Sequence, residues 1–122
     1  MKWIYAVALL AVALPVNAVA QQTNCSVPRI RTPENLTVTG YMMVKSGKRC
    51  SVSMTSSRGP IDGLKILANP AHGNLVTLRN RITYLPRAGY VGSDSFTYMR
   101  TGLDERGNPT TRTVRMQVTV AP

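Results

Sequence analysis

The chain has little of what catalysis usually requires. His72 is the only histidine in 122 residues, and five acidic residues stand against fifteen Lys and Arg, for a net charge of +10. A general-base mechanism needs a histidine or its equivalent beside a nucleophile and an orienting partner. A glycosidase needs two carboxylates across a cleft. The acids Glu34, Asp62, Asp94, Asp104 and Glu105 are scattered along the chain. Cys25 and Cys50 are the only cysteines, too far apart for a CxxC redox pair or a zinc pair. No catalytic residue, metal ligand or cofactor is expected. Aromatic residues are also few, and none interleaves with Lys and Arg as single-strand nucleic-acid binding requires. Nucleic acid is therefore not an expected partner.

Long apolar runs are absent, except at the start. There "MKWIYAVALLAVALPVNAVA" has Lys2 as a basic head, Ile4 to Pro15 as an apolar run, and Ala18-Val19-Ala20 as a signal-peptidase site. The run is shorter than the roughly 20 residues that span a bilayer. It reads as a signal peptide over 1–20, with Gln21 as the mature N-terminus. No spanning segment follows cleavage. Cys25 lacks the small apolar residues that would precede a lipidated cysteine. In an exported chain an even cysteine count predicts a disulfide, here Cys25–Cys50. Closing that loop contributes about 3 kcal/mol on the chain-entropy model.

What remains is patterned with a period of two. The stretch 21–34 is a polar, proline-containing lead-in. Beyond it "RCSVSMTS" sets Cys50, Val52 and Met54 against Arg49, Ser51 and Ser53, and "RTVRMQVTV" sets Val114, Met116, Val118 and Val120 against Thr113, Arg115, Gln117 and Thr119. Such alternation marks strands with one buried and one wet face. Turn signals such as His72-Gly73-Asn74 and Gly107-Asn108-Pro109 separate about seven strands: 35–44, 48–55, 63–68, 74–78, 81–85, 95–102 and 111–120. No helical stripe appears. The expected fold is all-β, an immunoglobulin-like antiparallel sandwich over 35–122.

The segment "YLPRAGYVGSDSFTY" poses the sharpest question, a ligand loop or a corner between sheets. Pro86 ends a strand because it has no N–H to donate. Gly89 and Gly92 suit conformations closed to other residues. Asp94 can hold the turn by accepting from nearby N–H groups. Phe96 and Tyr98 open the next strand with inward rings, and a tyrosine there can bond its hydroxyl to a crossing backbone. The reading is a structural corner formed by Tyr84, Pro86, Gly89, Gly92, Asp94, Phe96 and Tyr98.

Residues 68–120 also resemble a known family. Pro70, His72-Gly73, Tyr84, Pro86, Gly89, Tyr90, Gly92, Asp94, Ser95, Phe96 and Tyr98 fall as in the bacterial immunoglobulin-like (cadherin-like) repeat of large secreted adhesins and surface proteins. That resemblance implies a β-sandwich with a binding or spacer role, without enzymatic activity. Repeats of that family occur in tandem in acidic chains, whereas this chain has one copy and is basic.

Other readings attach to particular residues. The loop around Asp104, Glu105 and Asn108 offers oxygen donors for calcium but lacks the DxDxD density of a dedicated site. Met42, Met43, Met54, Met99 and Met116 suggest soft copper ligation, with Met54 and Met116 better placed as core filler. The sequons at Asn24 and Asn35 would matter only in a eukaryotic secretory path. The positive charge suggests a polyanion such as lipopolysaccharide or acidic polysaccharide, with Arg49, Lys65, Arg81 and Arg115 at outward parity as possible anion-binding residues. In an immunoglobulin-like order Arg49 and Arg81 share one sheet, Lys65 and Arg115 the other. An exposed, uncharged edge strand would favour assembly by strand addition. The expected function is a non-enzymatic exported module, periplasmic or extracellular, with a protein or envelope polysaccharide as partner.

Overall fold

A computed structural model describes Ala11, Ala13, 24–55 and 59–122. The signal-peptide reading of 1–20 lies almost wholly outside the described residues. Eight strands form two sheets, with no helix among the described residues. They are β1 (Cys25–Ser26), β2 (Thr37–Lys45), β3 (Cys50–Ser53), β4 (Ile61–Ala68), β5 (Gly73–Leu78), β6 (Arg81–Pro86), β7 (Gly92–Leu103) and β8 (Pro109–Ala121). One sheet runs β1-β2-β8-β7-β4 and the other β3-β6-β5. All pairings are antiparallel except β2 with β8, which run side by side from Thr37↔Thr113 to Lys45↔Ala121.

Alternation sets the faces. On β8, Val114, Met116, Val118 and Val120 are buried, while Arg115, Gln117 and Thr119 are exposed. Met42 and Val44 of β2, Val52 of β3, Ile82 and Tyr84 of β6, and Phe96 and Tyr98 of β7 complete the core between the sheets. Burial at these positions supplies the main stabilisation, on the order of 1.5–3 kcal/mol for each large apolar side chain.

The sandwich has one strand more than the alternation predicts. β1 is two residues long and too short to show any period. It pairs with β2 through Cys25↔Val44 and Ser26↔Met43. Its cysteine is bonded to Cys50 of β3, with the Cα atoms 5.2 Å apart. The disulfide thus links the edge of one sheet to the other. The lead-in continues across the inner face, where Val27 and Ile30 pack on the core. β2 begins at Thr37 rather than 35 because Asn35 has a left-handed φ of 57°. Its main chain and side chain both bond Thr111, turning the chain into the sheet.

Gly73 shows how tightly the smaller sheet is built. A Cβ there would lie 2.6 Å from the Leu85 carbonyl oxygen and 2.6 Å from the Tyr84 ring. We expect Gly73→Ala to cost about 2 kcal/mol through overpacking against backbone. A urea midpoint unchanged from wild type would show that the ring and strand yield freely.

Candidate functional site

The segment between β6 and β7 is organised around one carboxylate. Asp94 is 7% exposed. Its Oδ2 accepts from the Tyr84 hydroxyl at 2.6 Å and from the His72 N–H at 3.0 Å, and its Oδ1 from the N–H groups of Ala71 at 3.0 Å and Ser95 at 2.9 Å. Burial alone would raise its pKa. The four hydrogen bonds, the Tyr84 hydroxyl foremost, outweigh that and hold the carboxyl below its usual range. Burial and the facing carboxylate push the Tyr84 hydroxyl well above its ordinary value. One acid therefore joins the loop before β5, the middle of β6 and the start of β7.

The rest of the segment closes around it. Arg87 N–H donates to the His72 carbonyl, and Tyr90 N–H to the Arg87 carbonyl. The His72 ring stacks on Tyr90, 4.2 Å between centroids and nearly parallel. Gly89 and Gly92 have φ of 78° and 139°, which a residue with a Cβ reaches only under strain. Phe96 stacks against Tyr84 at 6.0 Å. The hydroxyl–backbone bond that the sequence suggests for Tyr98 takes another form. The buried hydroxyl held here is that of Tyr84, and its acceptor is a carboxylate. Tyr98 lies further along β7, its hydroxyl pushed up to about 12 by burial.

Two arginines that alternation alone would place inward define a second feature. Arg112 shares parity with Val114, and Arg100 with Tyr98. They face each other directly across the β7–β8 pair. Arg112 is 3% exposed. It donates to the Thr32 carbonyl and meets the half-exposed Glu34 carboxylate at 3.5 Å. Arg100 donates to the Thr55 carbonyl at 3.0 Å. Like charges directly opposite in a sheet are unfavourable, and the Thr55 and Thr32 carbonyls and the Glu34 carboxylate offset that cost here.

These arginines form the floor of a groove of about 790 Å³. One wall is the lead-in, 27–32, and the other is 51–55, comprising most of β3 and the residues after it. Each wall contributes consecutive residues. β3 pairs with β6 on one side only, and no described strand lies on its groove side. The floor arginines hold both walls, Arg112 at Thr32 and Arg100 at Thr55. Arg29 and Arg31 add two exposed guanidinium groups to the lead-in wall.

The remaining sequence candidates lie apart. Arg49, Lys65, Arg81 and Arg115 are all exposed. Arg81 and Arg49 belong to the β3–β6 side, Lys65 and Arg115 to the five-stranded sheet, so the structure does not bring the four together. Asp104 holds its own turn, accepting from the N–H groups of Arg106 and Asn108 at 2.8 Å, and the Asn108 bond leads in lowering its pKa. Met42 and Met116 are core residues, while Met43 is exposed. Among the described residues no three of His, Cys, Asp and Glu form a group that could hold a metal ion.

Fold and site together define an immunoglobulin-like β-sandwich with a carboxylate-centred corner and a basic groove along one open strand edge. A family model for the bacterial Ig domain matches residues 18–117, and the chain belongs to that family. No curated protein matches it significantly.

Proposed function

We propose that the protein is a non-enzymatic binding module exported to the cell envelope or exterior. The observation that carries this reading is the use made of its reactive groups. The single histidine is stacked on Tyr90, and the best-buried acid is fully engaged by Tyr84 and three N–H groups. Both hold the corner together. The groove, in contrast, is lined by the exposed Arg29 and Arg31, positive charge that suits recognition. A disulfide joining the two sheets fits an oxidising compartment, and no described helix is long and apolar enough to cross a membrane.

Cell fractionation tests the export. The expected result is a protein outside the cytoplasm that starts at Gln21, with an intact mass that rises by a pair of hydrogens on reduction. Cytoplasmic protein retaining residues 1–20 would refute it.

A second reading, binding of lipopolysaccharide or acidic polysaccharide, draws on the net charge of +10. Arg49, Lys65, Arg81 and Arg115 are dispersed over both sheets, so this reading rests on charge alone. Saturable binding that persists near physiological salt would support it, and loss at modest salt would end it.

A further inference from the structure

We propose that the outer edge of β5 receives an extended segment of a partner protein, an uncharged β-branched strand with a carboxylate at each end, added as a fourth strand to the smaller sheet. This names the partner class for the binding role proposed above and rests on that reading. The surface is separate from the groove, and three observations carry it.

The first is how the four sheet edges differ. An open edge invites pairing, and proteins blunt it by brevity, charge, bulges or cover. β1 is two residues long and cross-linked through Cys25. β3 faces the lead-in across the groove and is tied to it by the same disulfide. β4 carries Asp62 and Lys65 and has two register shifts against β7. β5 has none of these devices. It contains no charged residue and no proline, and it pairs with β6 without a bulge. On its outer face Val76 and Leu78 are 54% and 69% exposed.

The second is the direction of the backbone groups. The Arg87 N–H bonds the His72 carbonyl, and Pro86, opposite Gly73, has no N–H to give. Antiparallel pairs alternate between bonded and non-bonded. Asn74, Val76 and Leu78 therefore bond β6, while Gly73, Leu75 and Thr77 turn their N–H and C=O groups outward. β6 is the one sheet neighbour of β5, and no hydrogen bond among the described residues reaches its outer side. The edge is about 20 Å long and matches six residues of extended chain. Main-chain pairing along such an edge gives affinity, and the flanking side chains give specificity.

The third is charge, which favours a partner over a second copy. No acid lies between Asp62 and Asp94 in the chain, and Asp94 is engaged in the corner. Exposed Arg79 and Arg81 stand at one end of β5. Exposed Arg87, which reaches the Ala71 carbonyl, stands at the other. A second copy paired along this edge would set arginine ends against arginine ends. Carboxylates closing a partner strand meet them with opposite charge. Between the ends, Val76 and Leu78 suit β-branched cross-strand neighbours.

The test uses the purified protein and a fluorescent synthetic octapeptide, with Glu at each end and six alternating Val and Thr between. Saturable binding is expected. Thr77→Pro removes an outward N–H that β6 does not use, so it should weaken binding about tenfold while the protein melts near the wild-type temperature. N-methylation of the peptide gives an independent reading. Methyl groups on one alternate set of amides should weaken binding about tenfold, and those on the other set should not. Equal effects of the two sets would overturn strand addition, as would failure of the peptide to bind. Replacing both Glu by Gln should weaken binding about fivefold at low salt, and equal affinity would overturn the acidic ends. If the protein alone sediments as a dimer that Thr77→Pro dissociates, the edge belongs to a second copy and the proposed partner is wrong. None of these outcomes bears on export, which fractionation reads separately.

Discussion

Asp94→Ala is expected to destabilise the protein by about 3–5 kcal/mol, since it leaves the buried Tyr84 hydroxyl and the N–H groups of Ala71 and His72 without their acceptor. For a domain this size that corresponds to a fall in Tm on the order of 15–30 °C. Tyr84→Phe should cost much less, about 1–2 kcal/mol, because the carboxylate keeps three N–H donors. A thermal melt of the Asp94 variant within about 1 kcal/mol of wild type would show that the corner is held by packing and not by this acid. The pH dependence has a definite sign. The folded carboxyl titrates below its unfolded value, so its contribution is fully present above about pH 4 and is lost as pH falls through the folded value. Asp94→Asn should therefore flatten the acid side of the stability profile. Asp104 is lowered too and remains in the variant, so the slope is reduced and not abolished. Tyr84 acts in the opposite window. Its raised value favours folding up to about pH 10, and that contribution is lost at higher pH.

Removing the disulfide by Cys25→Ala with Cys50→Ala is expected to cost about 3 kcal/mol, chiefly by freeing the unfolded chain. Its structural effect should be larger at one place than elsewhere. β1 has two residues and two paired positions, too few to hold by themselves. Without the bond the lead-in keeps Val27 and Ile30 on the core, the Lys45 N–H on the Asn24 carbonyl, and the Arg112 tether. Hydrogen exchange should rise first along 24–32 and along β3, before the β7–β8 pair opens. Uniform protection in the double variant would mean that these remaining contacts suffice to fix the groove wall. In the wild type the sulfur of Cys50 lies in the core, since that residue is 1% exposed. Reduction should accordingly be slow unless the protein first opens locally.

The strands were legible because most carry enough residues to show a period of two. The run ending in Val120 gives its buried face directly, and the corner residues carry their own turn chemistry in Pro86, Gly89, Gly92 and Asp94. The groove was harder to see. Arg112 and Arg100 occupy inward parity, yet a charged side chain is ordinarily assigned to solvent regardless of parity. Extending the alternation past Val114 and Tyr98 by one more step would have found both. β1 could not be found that way, because two residues show no period and its position depends on the partner strand. The link between Tyr84 and Asp94 crosses a turn and two strands. Their spacing in the chain suggests only that both belong to the corner. The acceptor expected for a buried tyrosine there was backbone, and only the register shows that a carboxylate takes that role.

The position of β8 has a temporal consequence. This last strand lies in the interior of the five-stranded sheet, flanked by β2 and β7. Until residues 109–121 have been made, β2 has no neighbour on its inner side and the core lacks Val114, Met116, Val118 and Val120. A nascent chain ending before β8 can pair β3, β5 and β6 but cannot join β2 to β7, and folding through such distant pairings is slow. The topology itself makes completion of the larger sheet the last event of synthesis.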